Sequence, residues 1–341
     1  MKVLILKPSS LGDVVQALPV ARLLRRARPG AEIHWWLNRE LVPLLEGDPD
    51  IARVIPFDRK RLGRLSGLPR LVTHLNALRS ERYDWVIDLQ ALARSAFVSW
   101  YACGGFTIGL DDRREGAPAV YDQAVPRTGF TTHAVDWYLD VLRALGIPVD
   151  GGFEWLPPRP DVFRLLRCRI PAIDPDCIAL QPGARWDNKR WPLDHFRQLI
   201  DLLRGRLPRK QILILGGAGD RPMGAALAGE GRTGVLDLTG QLDLQELVEV
   251  MRRVRVLVTN DTGPMHIAAA LGRPVVGLFG PTQPSRTGPY GPRHRILRHE
   301  VPCSPCMKSR CRWRDPIACL VGIAPRLVAD EVVGLIDGTP A

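Results

Sequence analysis

Short apolar runs alternate with amphipathic helical segments along almost the whole chain, and this alternation limits the possible folds more than any other feature. An apolar run of about four to eight residues is typical of a strand, whereas apolar residues spaced three and four apart are typical of a helix. Both patterns occur at the start, where the run Val3–Leu6 precedes a helical pattern over 13–28. Strands alternating with helices predict an α/β fold, in which helices cover both faces of a parallel sheet.

The alternation occurs twice, so we predict two similar-sized α/β halves. The first half has predicted strands at 3–6, 31–37, 53–57 and 85–89 and predicted helices at 13–28, 68–79, 92–102 and 133–145. Residues 151–175 are rich in proline and glycine and are interpreted as a connector. The second half has predicted strands at 177–180, 211–215, 235–238, 256–258 and 275–279 and predicted helices at 193–203, 243–253, 264–271 and 324–336. A ligand is expected in the cleft between the halves, near the carboxyl ends of the strands.

Length and composition agree with a folded two-domain protein. The chain has 341 residues, of which 45% are hydrophobic and 24% charged, and this balance excludes wholesale disorder. The first residues lack an apolar run long enough for a signal peptide, and no apolar stretch is long enough to span a bilayer. We therefore expect a cytoplasmic protein.

The net charge of +11 favours anionic partners. Most of the positive charge is arginine, whose planar guanidinium suits phosphate. No zinc-finger spacing, RNP-type motif or basic stripe with interleaved aromatic residues occurs, so nucleic acid is not expected as a partner.

The first strand-to-helix loop, Lys7 to Asp13, contains neither the G-x-G-x-x-G pattern of dinucleotide-binding folds nor a P-loop. The missing glycine pattern speaks against an oxidoreductase. Asp13 is interpreted either as a helix N-cap or as a general base that reaches a substrate hydroxyl. Lys7 is either a strand-end lysine or a residue that orients Asp13 and binds substrate anions.

A second loop with binding character spans Thr259 to His266. Gly263 lets a ligand approach the backbone, and Pro264 suits the first turn of a helix. Free N–H groups at such a helix start form a phosphate seat. The alternative is that Asp261 and Thr262 are helix caps and that His266 is a packed core histidine.

Two further loops in the second half add positive charge and glycine. Arg185, Lys189 and Arg190 precede a predicted helix and are suited to neutralise a diphosphate, although a charged surface loop has the same composition. A glycine-rich turn around Gly217 follows the next predicted strand and is a weak signal by itself. Together these loops indicate a nucleotide diphosphate on the second half, opposite Asp13 on the first.

Four of the seven cysteines lie near the C-terminus, at Cys303, Cys306, Cys311 and Cys319. In a cytoplasmic protein this grouping favours thiols or a structural metal over disulfides. The spacing matches no standard metal site closely, so we predict unligated thiols and no metal.

These motifs together resemble the lipopolysaccharide heptosyltransferases of glycosyltransferase family 9, most closely heptosyltransferase I. The resemblance lies in the strings KPSSLGDVVQALP, YDWVIDLQALARSA, LQPGARWDNKRWP and LTGQLDLQELVEVMRRVRVLVTNDTGPMHIAAALGRPVVGLFGPTQP. It implies a GT-B fold, in which two Rossmann-like domains face each other across a central cleft. It also implies an acceptor-binding domain at 1–155, a linker at 156–175, a donor domain at 176–322, and a final helix at 323–341 that packs back on the N-terminal domain.

The resemblance also assigns roles to individual residues. Asp13 is implied as the catalytic base, with Lys7 beside it. Donor binding is implied for Lys189, Asp261, Thr262, Gly263 and His266, and our interpretation of the loops adds Arg185 and Gly217. Acceptor binding is implied for Ser10 and Gly12 and for two basic runs, formed by Arg59, Lys60, Arg61 and Arg64 and by Arg113 and Arg114.

The implied reaction is inverting transfer of heptose from ADP-heptose to the Kdo or heptose inner core of lipopolysaccharide, without a metal or other cofactor. The acceptor would be Kdo-lipid A or a heptosylated core. Basic runs would also draw the enzyme to the anionic inner leaflet, on the cytoplasmic face of the inner membrane. Two alternatives stay open: a GT-B transferase with another nucleotide sugar and acceptor, and a non-catalytic protein that binds sugar nucleotides.

Overall fold

The chain forms two compact units, Met1–Pro157 and Pro158–Ala341, in a computed structural model that describes residues 1–58, 68–229 and 232–338. Each unit contains a six-stranded sheet whose neighbouring strands are parallel. The prediction of an α/β protein with two parallel sheets is therefore confirmed.

The first unit is built on a sheet with strand order β3-β2-β1-β4-β5-β6. Its strands are β1 (Lys2–Leu6), β2 (Glu32–Asn38), β3 (Arg53–Phe57), β4 (Trp85–Asp88), β5 (Phe106–Leu110) and β6 (Gln123–Val125). Its α-helices are α1 (Leu11–Ala27), α2 (Val42–Leu45), α3 (Leu68–Ser80), α4 (Ala93–Ala102) and α5 (Ala134–Ala144), with 3₁₀ turns at Arg39–Leu41, Arg113–Glu115 and Ala117–Val120.

The second unit repeats this plan, with strand order β12-β11-β10-β7-β8-β9. Its strands are β7 (Cys177–Gln181), β8 (Ile212–Ile214), β9 (Val235–Asp237), β10 (Val254–Asn260), β11 (Val275–Phe279) and β12 (His294–Arg298). Its α-helices are α6 (Pro160–Arg169), α7 (Leu193–Arg206), α8 (Arg221–Ala228), α9 (Leu244–Met251), α10 (Gly263–Ala270), α11 (Pro284–Thr287), α12 (Ala318–Val321) and α13 (Pro325–Asp337), with 3₁₀ turns at Asp187–Lys189 and Ala218–Asp220.

Both strand orders are those of the doubly wound Rossmann fold, in which the first strand is central and the chain then winds outward to either side. The direction of winding reverses between β1 and β4 in the first unit and between β7 and β10 in the second. Loops diverge at such a reversal, and this leaves a crevice at the carboxyl ends of the two central strands. Each unit therefore has one favoured position for a ligand.

The central strands are mostly apolar because helices cover both of their faces. Val3–Leu6 of β1 and all five residues of β7 are buried. Helix α1 packs against α5 in the first unit, and α7 packs against α13 in the second. These cores hold the carboxyl ends of the central strands in fixed positions.

Several elements differ from the sequence predictions. The segment interpreted as a connector contains helix α6, which packs against α9 in the second unit. Strands β5, β6 and β12 and helix α8 were not predicted, since these are short or of mixed polarity. The final helix, α13, buries Val328, Ala329 and Val332 in the core of the second sheet, and the expectation that it packs back on the first domain stays a prediction.

No helix within the described ranges combines the length and the apolar character needed to cross a membrane.

Candidate active site

Lys7 lies at the winding reversal of the first sheet, directly after β1. Its ammonium donates a hydrogen bond to the carbonyl oxygen of Leu89, 2.8 Å away, which follows the neighbouring strand β4. The Nζ atom also lies 4.9 Å from the centre of the Tyr138 ring on α5. Only 4% of Lys7 is exposed, so the cation is held by these contacts and not by bulk water.

Burial alone would lower the pKa of Lys7, because it disfavours the ammonium form. The phenol oxygen of Tyr138 and the negative charge of Asp13 oppose this effect, and the pKa of Lys7 is raised above its ordinary value. Lys7 therefore supplies a permanent positive charge to this end of the sheet at neutral pH.

Asp13 is the third residue of α1 and is held by the residue that precedes the helix. Its Oδ2 atom accepts hydrogen bonds from the backbone N–H of Ser10, at 2.9 Å, and from the Ser10 hydroxyl, at 2.7 Å. The N-cap residue is Ser10 and not Asp13, as one interpretation of the sequence had it. Asp13 instead takes part in capping from the third position of the helix. Gly12 is buried between them, and Asp13 is half-buried with its carboxylate at the helix start.

Asp88 is a polar residue of this region for which the sequence analysis proposed no role. It ends β4, pairs in register with Leu6, and is fully buried. Its carboxylate accepts hydrogen bonds from the backbone N–H groups of Gln90 and Ala91 and from the hydroxyl of Tyr121, which lies at 2.8 Å. Burial raises the pKa of Asp88, although these hydrogen bonds oppose the rise. The sequence feature that could have indicated Asp88 is an acidic residue at the end of an apolar strand.

The structure describes only part of the basic runs that are predicted to bind the acceptor. Arg113 is exposed and pairs with Asp111 at 3.2 Å. The side chain of Arg114 lies outside the described part of the chain, as do Arg59, Lys60, Arg61 and Arg64. Their predicted roles stay predictions.

In the second unit, Asn260 joins the two central strands at the winding reversal. Its Nδ2 atom donates to the carbonyl oxygen of Pro182, 2.7 Å away, directly after β7. Its Oδ1 atom accepts from the backbone N–H of Trp191 at 3.0 Å. The side chain is fully buried, so both ends of the loop that carries Lys189 are fixed to the end of β10.

Lys189 and Asp261 form an ion pair at this position. The Lys189 Nζ atom is 2.5 Å from the Oδ2 atom of Asp261 and 4.6 Å from the centre of the Trp186 ring. The hydroxyl of Thr282 donates to the same Oδ2 atom at 2.6 Å. Asp261 is therefore an ion-pair partner and not a helix cap, and Thr282 is a residue that the sequence analysis did not assign. In the sequence, Thr282 is marked only as a polar residue soon after an apolar strand.

Helix α10 begins beside Asp261. Thr262 occupies the N-cap position, but its side chain makes no capping hydrogen bond. The first N–H groups of a helix have no partner within the helix and carry its positive dipole end. Gly263 starts the helix, Pro264 stands in its first turn, and His266 is buried one turn further on. The helix start is thus suited to an anion.

Two glycine loops come together after β7 and β8, at the carboxyl end of the second sheet. A Cβ atom on Gly183 would lie 2.5 Å from a carboxylate oxygen of Asp220. The same carboxylate accepts the backbone N–H of Gly217 at 2.9 Å. The loop after β7 and the glycine turn after β8 are therefore in contact, and a side chain at residue 183 would require the Asp220 carboxylate to move. Arg185 is exposed on the first of these loops.

The C-terminal cysteines are all free thiols, and only Cys319 is buried. Burial raises the pKa of Cys319, with smaller contributions from Cys303, Cys311 and Cys306. Among the residues that the structure describes, no group of three or more histidine, cysteine, aspartate or glutamate side chains is arranged to hold a metal ion.

Two Rossmann-like units, each with polar residues at its winding reversal, define the GT-B class of glycosyltransferase folds. The family model of glycosyltransferase family 9 (heptosyltransferase) matches residues 71–315. The chain belongs to this family, and it is a glycosyltransferase.

Similarity to individual proteins extends over the full length of the chain. Lipopolysaccharide heptosyltransferase 1 of Pseudomonas aeruginosa is 31% identical, with 98% of each chain covered. The structure of E. coli ADP-heptose LPS heptosyltransferase II has a TM-score of 0.79 at 26% identity, with 100% of each chain covered. E. coli heptosyltransferase WaaC with ADP-2-deoxy-2-fluoro heptose has a TM-score of 0.76 at 25% identity, again with 100% of each chain covered.

Proposed function

We propose that the protein transfers heptose from ADP-heptose to the inner core of lipopolysaccharide with inversion at the anomeric carbon. The observation that carries the proposal is the Lys189–Asp261 pair beside the start of α10. A cation and a helix N-terminus together suit a diphosphate, and a carboxylate suits sugar hydroxyls. The related proteins named above are heptosyltransferases that act on lipopolysaccharide or were solved with an ADP-heptose analogue, and they support this choice of donor and acceptor.

In this proposal, donor binding is assigned to the second unit. Thr262 and Gly263 offer backbone N–H groups to the diphosphate, Lys189 neutralises its charge, and Asp261 accepts hydrogen bonds from the heptose. His266, Arg185 and Gly217 complete the donor region as predicted from the sequence. As the bond to the anomeric carbon breaks, negative charge grows on ADP, and preorganised donors stabilise it. Protein groups therefore supply the charge that a metal ion supplies in other transferases.

Acceptor activation is assigned to the first unit. Asp13 removes a proton from the attacking hydroxyl, and its hydrogen bonds from Ser10 fix the position of the carboxylate. Lys7 holds positive charge nearby, which attracts the anionic groups of the acceptor. The basic runs at 59–64 and 113–114 are assigned to the anionic groups of Kdo-lipid A or a heptosylated core. Such an acceptor is lipid-borne, so the enzyme works at the cytoplasmic face of the inner membrane.

Acceptor-dependent ADP release from ADP-heptose tests the proposal, with Kdo-lipid A as the first acceptor. Asp13→Asn should lower kcat by about 10²–10⁴-fold, the usual contribution of a general base. ADP binding by the variant should be unchanged, because Asp13 is not assigned to the donor. Asp161→Asn is a matched control, since Asp161 is an exposed carboxylate in the first turn of α6.

The outcomes separate the alternatives. Release that requires Kdo-lipid A and is lost in Asp13→Asn supports transfer of the first heptose, and product NMR then reports whether the anomeric configuration inverts. Release only with a heptosylated acceptor assigns a later transfer. Binding of ADP-heptose without turnover on any core acceptor would contradict the proposal and favour a binding protein.

A further inference from the structure

Helix α4 carries a cluster of exposed aromatic side chains. Phe97 is 48% and Trp100 is 60% exposed, and the centres of their rings are 6.1 Å apart. The two residues are three positions apart and therefore lie on the same side of the helix. Tyr101 completes the cluster, at 6.1 Å from Phe97 and 6.5 Å from Trp100. Contiguous apolar surface of this kind marks an interaction site more often than scattered single residues do.

The cluster continues onto the neighbouring helix α3. The hydroxyl of Tyr101 donates to the side-chain oxygen of Asn76 at 2.6 Å, and Val72, one turn earlier, is 48% exposed. Val72, Phe97, Trp100 and Tyr101 thus form one surface across two packed helices, which we call the aromatic face.

Positive charge borders the aromatic face. The guanidinium of Arg79 lies 5.6 Å from the centre of the Tyr101 ring, and Arg94 is exposed one turn before Phe97. One acidic residue, Glu115, lies at the start of α4, where its carboxylate accepts the backbone N–H of Ala93. Tryptophan and phenylalanine between arginines are typical of surfaces that lie in the headgroup region of anionic bilayers.

The aromatic face lies in the same unit as the loop from Lys7 to Asp13, which the proposed function assigns to acceptor activation. Arg94, at the start of α4, lines a small cleft together with Ser9, which precedes the N-cap residue of α1. Because a helix rises about 1.5 Å per residue, Trp100 is about 9 Å further along the axis of α4 than Arg94. The aromatic face therefore starts, at Phe97, one helical turn from a residue that lines the same cleft as Ser9.

We infer that the aromatic face docks the enzyme on a membrane that contains anionic lipids, with Phe97 and Trp100 inserted among the headgroups. Arginine is the complementary charge for such a surface, and exposed aromatic rings gain free energy by leaving water. The inference of membrane docking depends only on the aromatic face. Its role in presenting a lipid-borne acceptor to Asp13 rests on the proposed function.

Vesicle binding by the full-length protein tests the inference. The probes are vesicles of phosphatidylethanolamine with phosphatidylglycerol, with phosphatidylcholine vesicles as the uncharged comparison. Phe97→Gln and Trp100→Gln should each weaken binding to the anionic vesicles roughly tenfold, because each removes apolar area that the bilayer would cover. Arg79→Gln should weaken it roughly fivefold. Leu165→Gln is the matched control, since Leu165 is 67% exposed on α6 of the other unit and should leave binding unchanged.

A second measurement locates the face in the bilayer. Lipids brominated on their acyl chains should quench part of the tryptophan fluorescence of the wild type. Trp100→Phe should keep binding within about twofold, because it retains an aromatic ring, and should lose that quenching. Circular dichroism and ADP binding check that the variants fold.

The inference is overturned if the wild type does not bind anionic vesicles, or if Phe97→Gln and Trp100→Gln bind them as the wild type does. It is also overturned if these variants change the oligomeric state instead, since the face would then be a protein interface. Vesicle binding without heptose transfer to any acceptor would leave the docking surface standing and reject the proposed function alone. Transfer to Kdo-lipid A in vesicles that falls in the aromatic variants, with unchanged transfer to a water-soluble Kdo acceptor, would support both.

Discussion

The Nζ atom of Lys189 lies 2.5 Å from the Oδ2 atom of Asp261, and both side chains are largely buried, with 17% and 7% exposed. Such a pair is worth little as a general stabiliser, because desolvation offsets the attraction between the charges. Removing one partner alone is costly, because the other charge stays desolvated. The effect of removing one partner on the free energy of unfolding can therefore be measured and compared with that of removing both.

A double-mutant cycle on this pair should show strong coupling. Lys189→Met should lower the free energy of unfolding by about 1–3 kcal/mol, because it leaves the Asp261 carboxylate with fewer partners. Lys189→Met combined with Asp261→Asn should cost less than the sum of the single changes, with a coupling of about 0.5–3 kcal/mol. Urea denaturation measures each value. Lys210→Met is the control, since its pair with Asp176 is more exposed and should contribute less than about 1 kcal/mol. Strict additivity at Lys189 and Asp261 would contradict the prediction.

Thr282 is expected to position Asp261 for the donor. Thr282→Val removes the hydroxyl that donates to the Oδ2 atom of Asp261 at 2.6 Å, while the shape of the side chain is kept. The KM for ADP-heptose should rise roughly tenfold, in line with the loss of one hydrogen bond to a charged group, and the KM for the acceptor should not change. Thr282→Ser keeps the hydroxyl and should restore most of the affinity. Loss of affinity in Thr282→Ser, with little loss in Thr282→Val, would show that the methyl packing matters and not the hydrogen bond.

A side chain at position 183 is expected to displace the carboxylate of Asp220. A Cβ atom there would lie 2.5 Å from the Asp220 carboxylate, whose position is fixed by the N–H of Gly217. Gly183→Ala should lower the free energy of unfolding by about 1–3 kcal/mol and weaken ADP binding, since the two glycine loops must separate. Gly219→Ala, where a Cβ atom meets nothing within 4 Å, should change stability by less than about 0.5 kcal/mol. Thermal unfolding and ADP titration of the two variants provide the comparison.

The stability of the first unit should fall in mild acid because of His74. Its Nε2 atom accepts the indole N–H of Trp36 at 3.0 Å, so the ring must be neutral at this nitrogen. Burial lowers the pKa of His74 below its ordinary value of 6.5. The unfolded chain therefore binds a proton at a higher pH than the folded chain does. The stability contribution is present above pH 6.5 and decreases as the pH falls from about 6.5 toward the pKa of the folded state.

His74→Gln provides the comparison, because glutamine keeps an acceptor for Trp36 but does not titrate in this range. The loss of stability between pH 8 and pH 5.5, followed by urea denaturation, should be smaller in His74→Gln than in the wild type. Parallel curves for the two proteins would show that His74 does not titrate differently on folding.

The sequence determined the fold class because the periodicity of apolar residues is a local property. Strands β3 and β11 occupy the ranges predicted for them. Both ends of each of the helices α1, α3, α4 and α5 lie within two residues of the predicted positions. Edge strands carried no such signal. Strand β12 has half-exposed side chains and a polar sequence, so its pattern differs little from that of a loop. Helix α6 was obscured by prolines on both sides, although proline is well suited to a helix start.

The sequence also placed Lys7, Asp13, Lys189 and Asp261 at strand ends, where parallel sheets bind ligands. Only the tertiary structure decided which of them are partners. Residues 189 and 261 are 72 positions apart, and their contact exists because β7 and β10 are neighbours at the winding reversal. The same holds for Lys7 and the carbonyl oxygen of Leu89, which are brought together by β1 and β4.

The packing of the last helix was likewise decided by the tertiary structure. Its amphipathic pattern predicts that one face is buried but does not name the surface that covers it. Complementary packing with α7 and the second sheet selects that surface, and this depends on side chains far apart in the chain. The periodicity of a helix or strand thus depends on residues that are neighbours in the sequence. The partners of buried charges and apolar faces are fixed only when the sheets have formed.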